Sequence, residues 1–113
     1  MRIKVEQTVC EWVGVSPCKP KPNTKVAIAL GTLGKFPMSG FRQPATENTS
    51  GWYLWCGQEF SRDEKFFSPM HVEQLREYLP EVVEYLDLPP GFRFLIGGSN
   101  YEDVWFDDEL LKL

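Results

Sequence analysis

The stretch Gly51-Trp52-Tyr53-Leu54-Trp55-Cys56-Gly57-Gln58-Glu59 constrains this chain more than any other. It carries two of the four tryptophans, a tyrosine between them, and a glycine at each end of an uncharged run. Aromatic, apolar segments stopped by glycine fit a central strand. Alternation with a period of two sends Trp52, Leu54 and Cys56 to one face and Tyr53 and Trp55 to the other. A strand so loaded needs cover on both faces, or cover on one and a site on the other.

The 113 residues suit a single domain spanning 1–113, and 42% hydrophobic with 14% aromatic residues is a globular composition. No apolar run approaches the roughly 20 residues that cross a bilayer. Met1 to Glu6 lacks the apolar core of a signal peptide. The expectation is a cytoplasmic chain with no membrane partner. Cys10, Cys18 and Cys56 are odd in number and contain no Cys-x-x-Cys pair. With His71 they make a poor zinc set, so neither a metal, a cofactor nor a disulfide framework is expected.

Residues 2–15 read as one or two strands, with Gly14 at a bulge or turn. Prolines at 17, 20 and 22 make residues 16–23 a loop. Lys25 to Leu30 fits a buried strand, with Val26, Ile28 and Leu30 on one face. Ala27 and Ala29 leave room on the other for a close-packed helix. Gly31, Gly34, Pro37 and Gly40 punctuate a connection, and Phe41 to Ser50 reads as a polar loop. After the central strand comes a charged turn, 61–65, with Phe66 and Phe67 anchoring it.

Ser68-Pro69 reads as a helix start. Val72, Leu75 and Leu79 follow at helical spacing, and Pro80 opens a second short helix, Glu81 to Leu86. Gly91–Ile96 and Glu102–Phe106 alternate as the two strands of a hairpin turned at 97–100. Leu110, Leu111 and Leu113 can dock on the body or on another subunit. Strands on either side of one helical segment predict an α+β fold: a mainly antiparallel sheet with two short helices on one face.

The net charge of -4 is unevenly spread: residues 1–43 carry +5 and residues 44–113 carry -9. Five acids fall between Tyr101 and Glu109 with no base among them. Such a patch repels nucleic acid and attracts a basic protein. The aromatics at 52, 53, 55, 101 and 105 lack the basic flanks of an RNA platform, so no nucleic-acid partner is expected.

Catalytic chemistry is poorly represented. His71, the single histidine, sits where a helix start is predicted, which disfavours its charged form. Cys56 lies mid-strand, where cysteine behaves as a small hydrophobe. Paired carboxylates exist on paper (Glu59 with Glu102, Asp103, Asp107 or Asp108), but sequence supplies no distance between them. Phosphate-loop, nucleophile-elbow and His-Glu-x-x-His motifs are missing.

The run Thr49 to Glu59 resembles the Gly-Trp-x-x-x-x-Gly-x-Glu signature of a small bacterial domain family first described without a function. That family was later grouped as family 33 of the predicted immunity proteins of bacterial polymorphic toxin systems. His71–Leu88 with Pro89-Pro90-Gly91-Phe92-Arg93-Phe94, and the ending Tyr101–Asp107, resemble its later blocks. The likeness covers roughly residues 25–108. Its matching signature residues are Gly51, Trp52, Gly57 and Glu59. The resemblance implies a non-enzymatic, cytoplasmic protein that occludes a cognate toxin, and it brings no catalytic residues.

The expected partner-binding face combines Glu59, Asp63 and Glu64 with Tyr101, Glu102, Asp103, Trp105, Asp107 and Asp108. The partner would be a cognate toxin or another protein, and the chain itself a monomer or homodimer. Two alternatives stand beside it. One is a small-molecule binder or enzyme with a pocket near the Trp52/Trp55 strand, lined by Trp52 or Trp55. The other is a structural subunit dimerising through its C-terminal leucines.

Overall fold

A computed structural model describes residues 7–61, 63, 65–98 and 101–112. It is an α+β protein built on one six-stranded sheet with short helices. The strands are β1 (Lys25–Ile28), β2 (Met38–Arg42), β3 (Thr49–Cys56), β4 (Ser68–His71), β5 (Phe92–Ile96) and β6 (Glu102–Phe106). Their spatial order is β4-β1-β3-β2-β5-β6. The pair β1–β3 is parallel and every other pair is antiparallel. The aromatic stretch is β3, a central strand as expected.

Its alternation divides the molecule. On one face Trp52, Leu54 and Cys56 join Val26, Ile28, Met38 and Phe94 in the main core. Helix α1 (Val9–Val13), helix α2 (Leu75–Tyr78) and the 3-10 segment Pro80–Asp87 close over this face through Val9, Cys10, Leu75, Val82 and Leu86. On the other face Trp55, Phe41, Ala29 and Leu110 form a smaller cluster, with Tyr53, Phe66 and Phe67 packed against it. Both faces are therefore covered, one by helices and one by a loop and the C-terminal turn.

Several expectations are corrected. The part of 2–15 that is described is helical: Thr8 caps Glu11 N and Glu11 returns a bond to Thr8 N, a capping box that starts α1. Gly14 ends it in the left-handed conformation. Residues 2–6 lie outside the described residues. The segment read as connection and loop contains β2, which lies between β3 and β5 and is buried along its length. Its glycine hid it: a Cβ at Gly40 would overlap the Phe94 and Leu54 side chains, so close packing on the sheet requires the glycine that reads as a breaker.

Ser68-Pro69 opens β4 instead of a helix, pairing with β1 across Ile28–Ser68 and Lys25–His71. Proline is tolerated there because β4 is an edge strand. The helical region starts at Val72, and its second part is a 3-10 segment. The helices pack on the Val26 and Ile28 side of β1, whereas Ala29 belongs to the aromatic face. Leu30 has left the strand and is exposed.

Buried Arg42 ties the layers together. Its guanidinium donates to the carbonyls of Ser50 at 2.9 Å, Cys18 at 2.6 Å, Leu88 at 2.8 Å and Leu86 at 3.3 Å. These bonds bring the loop 16–23 and the end of the helical region onto the sheet. Burial pulls the Arg42 pKa below its ordinary value, opposed by Cys18 and Asp87.

Candidate partner-binding surface

The face of the sheet opposite the helices is concave. Phe41 stacks on Tyr53 with ring centroids 5.0 Å apart, and its edge contact with Trp55 is 5.8 Å. Phe60 and Phe67, carried on the loop after β3, meet Trp55 at 5.0 Å and Tyr53 at 5.4 Å. These rings, with Gln43, Ser61, Asp63, Arg93 and Leu110, line an open concavity of about 810 Å³. That size falls within the range of ligand pockets.

Arg93 connects the concavity to the edge of the sheet. Its guanidinium lies 5.4 Å from the Phe41 ring and 5.9 Å from the Trp105 ring on β6. One nitrogen donates to Asp107 Oδ2 at 3.1 Å. Its Nε is buried without an acceptor among the described residues. Asp107 Oδ1 in turn accepts Glu109 N at 3.2 Å, starting the 3-10 turn Asp108–Lys112 that delivers Leu110 to the concave face.

The sequence-predicted residues are only partly gathered here. Asp63 lines the concavity. Asp103 and Trp105 stand opposite Leu95 and Arg93 and share their face. Asp107 is the Arg93 partner, and Asp108 and Tyr101 are exposed. Glu102 points the other way, where it accepts a hydrogen bond from the Tyr85 hydroxyl. Glu59 is exposed in the loop after β3, outside the concavity lining. Glu64 lies outside the described residues.

Three of the four signature residues, Gly51, Trp52 and Gly57, are architectural. Trp52 is fully buried on the helix face and donates from Nε1 to Leu86 O at 3.0 Å. Gly51 and Gly57 both adopt positive φ, 92° and 84°. Of the two tryptophans at which a pocket was expected, Trp55, 8% exposed, lines the concavity, and Trp52 lies on the opposite face of the strand in the main core.

Phe41, Gln43, Phe60, Arg93 and Leu110 were not expected at a site. The alternation Phe92-Arg93-Phe94 did carry a signal: a cation set between two apolar residues in a strand faces something other than the core. Cys56 and His71, which could act together only as a nucleophile and its base, are far apart. His71 pairs with Lys25 beside the Thr49 end of β3, whereas Cys56 ends that strand roughly 20 Å away. Burial pushes the Cys56 thiol pKa up, away from nucleophilic use. Among the described residues no group of three or more His, Cys, Asp or Glu could hold a metal ion. No described helix is long and apolar enough to cross a membrane.

No curated protein and no solved structure matches the chain. A family model, however, matches residues 5–107, which takes in every strand, the buried Arg42–Trp52 unit and the acidic edge. The chain belongs to the Imm33-like domain family.

Proposed function

We propose that the protein is a cytoplasmic immunity protein that neutralises a cognate toxin by binding and occluding it. The observation that carries this reading is the acidic, aromatic surface at one side of the sheet, in a chain of an immunity-type family. Tyr101, Trp105 and Phe106 are exposed beside Asp103 and Asp108, in a part of the chain that carries a large negative excess. Exposed aromatics anchor protein interfaces, and one-signed charge steers an oppositely charged partner. No step of the reading requires catalysis.

The test is co-expression with the product of the neighbouring gene. Stoichiometric recovery of that product, with loss of its toxicity, is the expected result. Asp103→Lys and Asp108→Lys together should then weaken the complex by at least about tenfold, mainly through a slower association. Full neutralisation by the doubly reversed protein would remove this surface from the reading.

The concavity favours a second reading, a small-molecule-binding domain. Its rings are supplemented by Gln43, Ser61, Asp63 and Arg93, a small set of polar groups at an aromatic wall. A thermal-shift screen tests it: a hit whose stabilisation disappears in Phe60→Ala supports it, and hits indifferent to that change do not.

A further inference from the structure

We propose that the outer edge of β6 receives an extended, basic segment of the protein partner, which pairs with the backbone of Val104 and Phe106. This rests on the immunity reading and adds the mode of binding to it.

The sheet has two edges, β4 and β6. β4 is a four-residue strand interrupted by Pro69, which has no N–H to offer. β6 has five residues and, among the described residues, pairs only with β5. The direction of its backbone groups follows from the ladder. Gln43 N donates to Gly51 O at 2.9 Å and Gly57 N to Pro37 O at 2.8 Å, so the odd-numbered residues of β2 bond to β3. Even-numbered residues of β2 therefore turn to β5, and the odd-numbered residues of β5 turn to β6.

Gly97 N donates to Tyr101 O at 2.9 Å and Asp107 N to Gly91 O at 2.7 Å, which continues the same alternation. Residues 101, 103, 105 and 107 thus face β5. Val104 and Phe106 turn N–H and C=O outward, and no described residue pairs with them.

Side chains beside these groups select the occupant. Trp105 and Phe106, 39% and 52% exposed, flank the edge on opposite faces, with Asp103 next along. Edge strands are commonly guarded by lysine, bulges or a covering loop. Here the guard is acidic and aromatic. A second copy of the chain would set carboxylates against carboxylates, which cross-strand pairing disfavours. A strand with Lys or Arg on the face that Asp103 and Trp105 share, pairing the carboxylate and lying over the indole, and with apolar residues on the Val104 and Phe106 face satisfies both sides. Main-chain bonds then supply affinity and alternate side chains supply selectivity.

The experiment uses the full chain, isotopically labelled, and two blocked hexapeptides, one alternating lysine with valine and one alternating glutamate with valine. At millimolar concentration the lysine peptide should shift the amide resonances of Val104 and Phe106 and slow their solvent exchange. The glutamate peptide should bind about tenfold more weakly, since each flanking pair changes sign. Methylating the peptide nitrogens that face β6 should abolish binding. Val104→Pro should fold, because that N–H is outside the ladder, and should lose the lysine peptide. Asp103→Lys, which leaves the backbone intact, should reverse the preference.

Unmoved edge amides, equal binding of both peptides, or a dimer that already occupies the edge would overturn the inference. The two levels separate cleanly. If a toxin is neutralised while the Val104 and Phe106 amides keep exchanging in the complex, edge pairing fails and the immunity reading stands. If the lysine peptide binds at the edge and no toxin is neutralised, the edge stands and the immunity reading fails.

Discussion

Arg42 and Trp52 share one acceptor. The Leu86 carbonyl receives Trp52 Nε1 at 3.0 Å and an Arg42 guanidinium nitrogen at 3.3 Å, and the guanidinium lies 5.8 Å from the indole ring. The signature tryptophan and a buried arginine on the neighbouring strand thus hold the end of the helical region from below. The Trp of the family signature is explained by architecture before any binding role is needed.

Arg42→Leu should therefore be strongly destabilising. It removes a buried donor set and strands the carbonyls of Cys18 and Leu88, while the Leu86 carbonyl keeps only Trp52 Nε1. Buried acceptors left unpaired cost about 1–3 kcal/mol each, so a loss of about 3–5 kcal/mol is expected. Trp52→Phe, which loses one bond and some volume, should cost about 2–3 kcal/mol. Urea unfolding followed by far-ultraviolet circular dichroism measures both. A change under about 1 kcal/mol for Arg42→Leu would contradict the role given to it.

The two signature glycines should differ in their tolerance. A Cβ at Gly51 would run into the Gln43 carbonyl, and its φ of 92° is foreign to L-residues. Gly51→Ala should abolish folding or cost more than about 3 kcal/mol. At Gly57 the nearest atoms belong to the flexible Lys35 side chain, the closest at 3.2 Å, so only the φ of 84° opposes alanine. About 1–2 kcal/mol is expected there. Soluble yield and melting temperature should rank the variants in that order.

Thiol reactivity should sort the three cysteines. All three are free; Cys10 and Cys56 are buried and Cys18 is exposed. Burial raises the pKa of the Cys10 and Cys56 thiols, which further lowers their thiolate fraction. A chromogenic disulfide reagent should titrate one thiol in the native protein and three after unfolding. Rapid native reaction at three would mean that the main core opens readily.

Acid should weaken two local ties. Glu11 accepts the Thr8 backbone N–H at 3.0 Å and Glu73 accepts the Asn23 N–H at 3.1 Å, and these bonds hold both carboxyl pKa values below the ordinary 4.5. A lowered folded-state pKa stabilises the charged form. The contribution is thus fully present above 4.5 and disappears as pH falls through the lowered values. Carboxyl chemical shifts followed through an acid titration should show both midpoints below that of an unstructured glutamate. Glu11→Gln and Glu73→Gln should each flatten the acid limb of the stability profile.

The surface predictions depend on which parts of the site sequence can express. Trp52 and Trp55 were separable from the start, because period-two alternation is a local property of any strand. The hairpin Phe92–Ile96 with Glu102–Phe106 was legible for the same reason, as its two halves alternate and adjoin in the chain. β2 was not, since Gly40 looks like a breaker until Phe94 and Leu54 lie across it. β4 was misread because Ser68-Pro69 is equally good at a helix start and on a sheet edge. Pairing with Lys25–Ile28, remote in sequence, decided between them. Thr8 and Glu11 do spell a capping box, but the valines around them favour a strand on pattern alone.

The sequence by itself determined the α+β class, the central position of Gly51–Gly57, the two faces of that strand and the acidic excess of the second half. Each of these is written in neighbouring residues, through the pleat of the backbone or a sum of charges. Only the tertiary structure decided the strand order, the cover of the second face by Phe60, Phe66, Phe67 and Leu110, and the pairing of Arg93 with Asp107. It also decided which side each face of β6 meets: Asp103 and Trp105 lie on the side of Arg93, and Glu102 on the side of Tyr85. These are contacts between distant segments, fixed by register and by how the layers close, and a charge written in the chain has no direction until a strand is paired.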